Sequence, residues 1–273
     1  MSEESNREMS FLEHLEVLRW HLVRSFGSVL VFAILAFVFK NIVFDTIILA
    51  PSNPNFFTNR LLCELADRFN LPLLCINQAP LNLQNINMSG QFTTHIWVSL
   101  VVGIVVAFPY IFFEFWRFVR PALYQNEINN SKGAIFFAST LFSIGIMFAY
   151  FIICPLSVHF LGTYQVSGQV ENIVNLGSYI STITSIVLAG GVIFELPIFI
   201  YFLAKVGLVT SDFLIKYRKH SIVVALLLAA VITPPDVISQ LLVCFPLIIL
   251  YESGIVIAKR LEKKNLTDEP AKV

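Results

Sequence analysis

The sequence predicts an all-α, polytopic membrane protein of six kinked transmembrane helices in a concave bundle, with both termini in the cytosol. Three observations carry that prediction. Apolar residues make up 56% of the chain and charged residues only 13%, where a soluble domain keeps roughly 25% charged. Four apolar stretches are each long enough for a bilayer, and a fifth is long enough for two. Basic residues fall almost entirely on alternate connecting segments.

Crossing about 30 Å of hydrocarbon takes about 20 apolar residues. Residues 25–44, 92–115, 133–156 and 179–204 meet that length. The region 221–258 is too long for one span and is broken by Thr233-Pro234-Pro235-Asp236. Two prolines remove backbone donors there and an aspartate demands water. The split leaves a short fifth span at 221–233, reaching only about 20 Å at 1.5 Å per residue, so it must thin the bilayer or stop inside it. Pro109, Pro155, Pro197 and Pro246 interrupt other spans and predict kinks.

The lysines and arginines set the topology. Arg7, Arg19 and Arg24 precede span 1, Arg117, Arg120 and Lys132 follow span 2, and Lys205, Lys216, Arg218 and Lys219 follow span 4. Lys259, Arg260, Lys263, Lys264 and Lys272 end the chain, leaving only Lys40, Arg60 and Arg68 for the opposite side. Both termini are therefore expected in the cytosol, and the span count must be even. Residues 1–258 then form a single six-span membrane domain with an outer-loop cap at 40–91, in which a short helix is expected near 60–69. Residues 259–273 form a charged cytosolic tail, expected to be disordered. The polar, acidic residues 1–8 lack the pattern of a cleaved signal peptide.

The formal charge of zero gives no field for nucleic acid. No phosphate loop, dinucleotide fingerprint or nucleophile elbow is found. The five histidines match no metal-ligand spacing, so neither metal nor cofactor is expected. Ser10 and Glu13 form a capping box ahead of span 1, and Phe11, Leu15, Leu18 and Leu22 make one apolar stripe at helical spacing. The plain reading of that stripe is an interfacial lead-in. Glu127 in a cytosolic loop has the plain reading of a solvated charge. Glu195 is different: a carboxylate well inside span 4 costs several kcal/mol unless paired, protonated or hydrated. Cys63 and Cys75 share the outer loop, twelve residues apart, and can close a disulfide in an oxidising compartment if the loop brings them together.

His14-Leu-Glu-Val-Leu-Arg19, Phe118-Val-Arg-Pro121-Ala-Leu-Tyr124-Gln-Asn-Glu127, Phe148-Ala-Tyr-Phe151, Phe194-Glu195-Leu-Pro197 and Thr233-Pro-Pro-Asp236-Val-Ile-Ser-Gln240 together resemble the TatC family of the twin-arginine protein translocase. Their order and spacing follow the family from about Phe11 to Ala258, although the outer loop at 52–83 is longer than the family leads one to expect.

The resemblance implies a non-enzymatic, cofactor-free subunit of a bacterial cytoplasmic (inner) membrane. It would bind twin-arginine signal peptides of folded precursors at the cytosolic face. It would self-associate within a receptor complex and recruit TatA-type and TatB-type single-span subunits for export driven by the proton-motive force. The family's two arginine-receiving glutamates map onto Glu127 and, in this chain, onto Val17. Glu16 is its neighbour and Glu13 lies one i,i+4 step before it, so one of these two is expected to supply the carboxylate. Phe118 and Arg19 complete the implied signal-peptide site. Thr233, Gln240, Asp236 and Glu195 are the implied contacts for a partner helix. The rival reading, a secondary transporter of a small solute, would explain the buried carboxylate but predicts internal repeats, and none is found.

Overall fold

The fold is organised by places where proline strips a helix of a donor. The computed structural model describes residues 11–71, 75–76, 81–119, 131–169, 172–233 and 237–268. In chain order the helices are α1 (Phe11–Val38), α2 (Phe57–Phe69), α3 (Gly90–Val119), α4 (Ser131–Phe148), α5 (Cys154–Thr163), α6 (Leu176–Phe194), α7 (Leu196–Lys205), α8 (Ser211–Lys216), α9 (Arg218–Ile232) and α10 (Val237–Asp268). The strands β1 (Leu83–Gln84) and β2 (Val174–Asn175) make one short parallel pairing, Leu83 opposite Val174. Among the described residues, five stretches are long and apolar enough to cross a membrane: Leu15–Val38, Gly90–Phe118, Gly133–Thr163, Leu176–Lys205 and Ser239–Lys263. The short span expected at 221–233 corresponds to α9, a helix of 15 residues, below that length.

Two compact units are distinguished, one of residues 1–39 and 96–139 and one of residues 40–95 and 140–273. In the first, α1 is a single unbroken helix of 28 residues, so the amphipathic lead-in and the first span are continuous. Gly103 of α3 lies against the Val29 carbonyl and Ala33 of α1, where an added Cβ would come within 2.7 Å of that carbonyl oxygen. Small residues serve this purpose in lipid, where helices gain little from hydrophobic burial against one another.

In the second unit a π-helical turn, Ile42–Ile48, leads into the outer loop, and another, Ala149–Ile153, joins α4 to α5. Each precedes a proline. Pro51 and Pro155 have no N–H to offer the carbonyls four residues back, Ile47 and Phe151. The Tyr150 hydroxyl donates to the Ile47 carbonyl at 2.8 Å, and the Thr58 hydroxyl donates to the Phe151 carbonyl. Tyr179 adds a third such bond, to the Ile48 carbonyl at 2.9 Å. Of the four span prolines, Pro155 and Pro197 coincide with helix breaks, whereas Pro109 and Pro246 lie inside continuous helices.

The outer loop is built around α2, close to the helix expected at 60–69. The helix stops at Asn70, the one described non-glycine residue with a positive φ, 52°, in the left-handed conformation that ends many helices. Asn59 is 1% exposed and its amide donates to the Asn53 carbonyl at 2.8 Å. The Phe56 ring stacks on Phe151 at 5.7 Å, and Cys63 and Cys75 are joined in a disulfide.

The tail expectation needs correction. Residues 259–268 are not irregular but continue α10 to Asp268. Two features outweigh their charge. Leu, Glu and Lys are strong helix formers, and Glu262 accepts from the Ser211 N–H at 2.6 Å and from its hydroxyl at 2.5 Å. Earlier in α10, Tyr251 donates to the Leu214 carbonyl at 2.9 Å and Glu252 pairs with Arg218 at 2.5 Å.

Candidate functional site

The first unit gathers charge at the end of α3 nearest Val119. Glu114 is 1% exposed, yet four polar side chains surround it. His21 of α1 bonds it through Nδ1. The guanidiniums of Arg24 and Arg117 stand 3.9 and 3.8 Å away, and the Tyr110 hydroxyl faces the same carboxylate. The i,i+4 step puts Tyr110 one turn before Glu114 on α3 and Phe118 one turn after. Phe118 is half-buried, and its ring meets the edge of His21 at 6.2 Å and 66°.

The expected signal-peptide residues divide around this cluster. Glu16 and Arg19 are exposed on α1, whereas Val17, Leu18 and His21 are half-buried. The α1 register therefore turns Glu16 away from the stripe shared by Val17 and His21. Glu13 belongs to α1 one turn before Val17. Glu127 lies outside the described residues.

Sequence reasoning missed both Glu114 and His21. A signal for Glu114 was present: it is a carboxylate inside the aromatic run Phe112-Phe113-Glu114-Phe115-Trp116, three residues before an arginine.

The second unit holds the expected partner-helix residues. Glu195 sits between α6 and α7, is 4% exposed, and among the described residues no side chain bonds either carboxylate oxygen. Pro197 follows at the start of α7. The break beside it is tightly packed: a Cβ on Gly145 would fall 2.6 Å from the Gly190 carbonyl oxygen. Thr233 is buried and returns its hydroxyl to the Ala229 carbonyl at 2.8 Å. Gln240 of α10 donates its amide to the Leu226 carbonyl of α9 at 3.1 Å. Asp236 lies outside the described residues. Among the described residues, no group of three His, Cys, Asp or Glu side chains is placed to hold a metal ion.

A family model described as "Sec-independent protein translocase protein (TatC)" matches residues 13–246. A Sec-independent protein translocase protein TatC of Blattabacterium sp. subsp. Periplaneta americana (strain BPLAN) is 41% identical over 267 residues, covering 97% of this chain and 100% of that protein. The protein of the same name from Aquifex aeolicus (strain VF5) is 33% identical over 258 residues, 94% of this chain and 98% of that one. Among solved structures, a crystal structure of the twin arginine translocase receptor TatC superposes with a TM-score of 0.68 and 32% identity, covering 92% of this chain and 100% of that one. A second, in DDM, gives 0.69 and 32% over 90% and 99%.

Proposed function

The chain belongs to the TatC family of Sec-independent protein translocase proteins, and from that premise we propose that it is the signal-peptide receptor of a twin-arginine translocase. The observation that carries the reading is its likeness to the solved translocase receptors across 92% of its length at 32% identity. The comparisons favour this reading over a secondary transporter of small solutes. The protein acts in transport rather than catalysis and spans a bacterial inner membrane six times, α9 supplying the short fifth span. Both termini face the cytosol, as the distribution of lysine and arginine requires.

Glu127 and one of Glu13 and Glu16 receive the two arginines of the precursor, flanked by Phe118 and Arg19. An exposed ion pair contributes only about 0.2–1 kcal/mol, so freely solvated carboxylates would not hold a precursor. Arginine offers a planar fork that grips a carboxylate with two parallel bonds, and lysine does not. Selectivity for arginine thus points to partly desolvated carboxylates near the headgroups. Two charge-assisted contacts of roughly 1.5–3 kcal/mol each suit reversible capture, with the precursor's apolar segment adding the rest.

TatA-type and TatB-type single-span helices dock on the second unit near Thr233, Gln240, Asp236 and Glu195. The unpartnered Glu195 carboxylate supports that assignment, because a polar group in lipid gains from an incoming donor. Interhelical hydrogen bonds in membranes average about 0.6 kcal/mol, which suits exchangeable partners.

The test is binding of a twin-arginine signal peptide to the purified protein in detergent, beside a twin-lysine version. Arginine-selective binding that weakens in Glu127→Ala is expected. Equal or absent binding of both peptides would overturn the receptor reading.

A further inference from the structure

Among the described residues of the first unit, Glu114 is the most heavily partnered carboxylate, and its partners explain why it is not a docking point for a precursor's arginine. His21 bonds it directly, two guanidiniums of the chain itself stand within 3.9 Å, and its side chain is 2% exposed. Its charge is met inside the unit. It needs some other reason to be there, since α1 and α3 could pack through apolar and small residues alone, as they do at Gly103.

The geometry supplies one. His21 is held by Glu114 through Nδ1 and presents its ring to Phe118 at 6.2 Å. Phe118 in turn stands one helical turn after Glu114 on α3. The three side chains therefore close a triangle: carboxylate to imidazole, imidazole to phenyl, and phenyl back along the helix to the carboxylate. Two things are set by that triangle. One is where Phe118 stands. The other is the rotation of α1 about its own axis, because His21 lies one turn after Val17 and two after Glu13 on the same helix.

Apolar contacts between helices in lipid tolerate slippage, since the bilayer offers side chains an equally apolar alternative. A buried charged hydrogen bond has one good geometry, and fixing register is its best-attested use. A rotation of α1 by a single residue is about 100°, enough to exchange the exposed edge that carries Glu16 and Arg19 for the buried stripe of Val17 and His21.

We propose that His21 and Glu114 form a positioning pair that fixes the rotation of α1 and the stance of Phe118, so that the signal-peptide site is assembled before the precursor arrives. The inference rests on the receptor reading above. Neither residue touches the precursor. Both act through residues that do, and their loss falls on the discrimination of arginine from lysine rather than on general apolar affinity.

The experiment uses the full chain in detergent, with fluorescent twin-arginine and twin-lysine signal peptides, and four variants: His21→Ala, Glu114→Ala, the double variant, and Glu114→Gln, which keeps an acceptor for His21. Each single alanine is expected to weaken twin-arginine binding about tenfold while twin-lysine binding moves little. The double variant should cost no more than either single, as for residues acting as one unit. Glu114→Gln should stay within about threefold of the parent.

A folded His21→Ala protein with the parent's arginine selectivity overturns the pair. So do losses that simply add in the double variant. If Glu114→Ala does not fold, His21→Ala and Glu114→Gln decide the matter alone. A parent protein with no arginine preference fails differently: that outcome overturns the receptor reading itself, and the pair with it.

Discussion

Thr58 donates its hydroxyl proton to the carbonyl of Phe151, 93 residues away in sequence. That carbonyl is the one Pro155 leaves without a helical donor. The helix α2 of the outer loop is therefore bonded to the break inside the third long span. The break is a π-turn rather than a ragged end. Tyr150, within the same turn, does the converse service for Ile47, the carbonyl freed by Pro51. Loop and span thus complete each other's backbones, in a medium where an unmet carbonyl costs several kcal/mol.

Removing the donor should expose that cost. Thr58→Val keeps the shape and β-branching of the side chain and deletes the hydroxyl. It is expected to lower stability by about 1–3 kcal/mol, the penalty for a buried acceptor left unmet, while Thr58→Ser retains most of the parent's stability. Unfolding in detergent, followed by circular dichroism, reads the difference. A valine variant as stable as the parent would mean that water or a neighbouring N–H already serves the Phe151 carbonyl.

The parts of the fold that were legible in the sequence are those governed by local signals. Long apolar stretches marked the spans, and prolines marked the breaks at Pro155 and Pro197. The Pro and Asn content of the loop marked a short helix close to α2. What could not be read depends on distant partners. The π-turns need hydroxyls from elsewhere in the chain, and the His21–Glu114 bond also spans 93 residues. Neither half of such a pair carries a local mark, because Thr58 on a polar loop helix and His21 in an amphipathic helix are ordinary choices alone. The continuation of α10 to Asp268 was hidden for the same reason: Ser211, which meets Glu262, lies 51 residues upstream.

Glu195 sets stability against function. Among the described residues neither of its oxygens has a side-chain partner in a buried site, an arrangement that costs several kcal/mol when the carboxylate is charged. Glu195→Leu should therefore raise the apparent melting temperature in detergent and lower export of a twin-arginine reporter in cells. Glu195→Gln, still able to bond an incoming helix, should keep more export than leucine. If leucine leaves export normal, the carboxylate has no part in partner docking.

The choice between Glu13 and Glu16 follows from the rotation of α1. Glu16 is exposed beside Leu15, Arg19 and Trp20, while Val17 lies on the half-buried stripe with His21. Glu13 lies one turn before Val17 in the same helix. Charge reversal at Glu13 is expected to reduce crosslinking of a twin-arginine precursor by about tenfold or more, the effect of a lost charge-assisted contact. Reversal at Glu16 should cost less. The opposite ranking would place the arginine on the exposed edge of α1, and equal insensitivity at both positions would remove α1 from the site.

The end of α10 offers the last prediction. Glu262 accepts two hydrogen bonds from Ser211, one from its N–H and one from its hydroxyl, at the start of the six-residue helix α8. A carboxylate is favoured there, beside first-turn N–H groups that have no helical carbonyl to bond. A helix as short as α8 has little stability of its own, so the two elements hold each other: α10 supplies an anion at the start of α8, and α8 keeps the charged last turns of α10 wound. Glu262→Ala should therefore open both sites together to limited proteolysis, near Lys216 in α8 and near Lys263 in α10. Glu262→Asp, one methylene shorter, should open them partially. Cleavage confined to the α10 end would show that α8 stands without the clasp, supported by the buried Leu214 and its packing on α10.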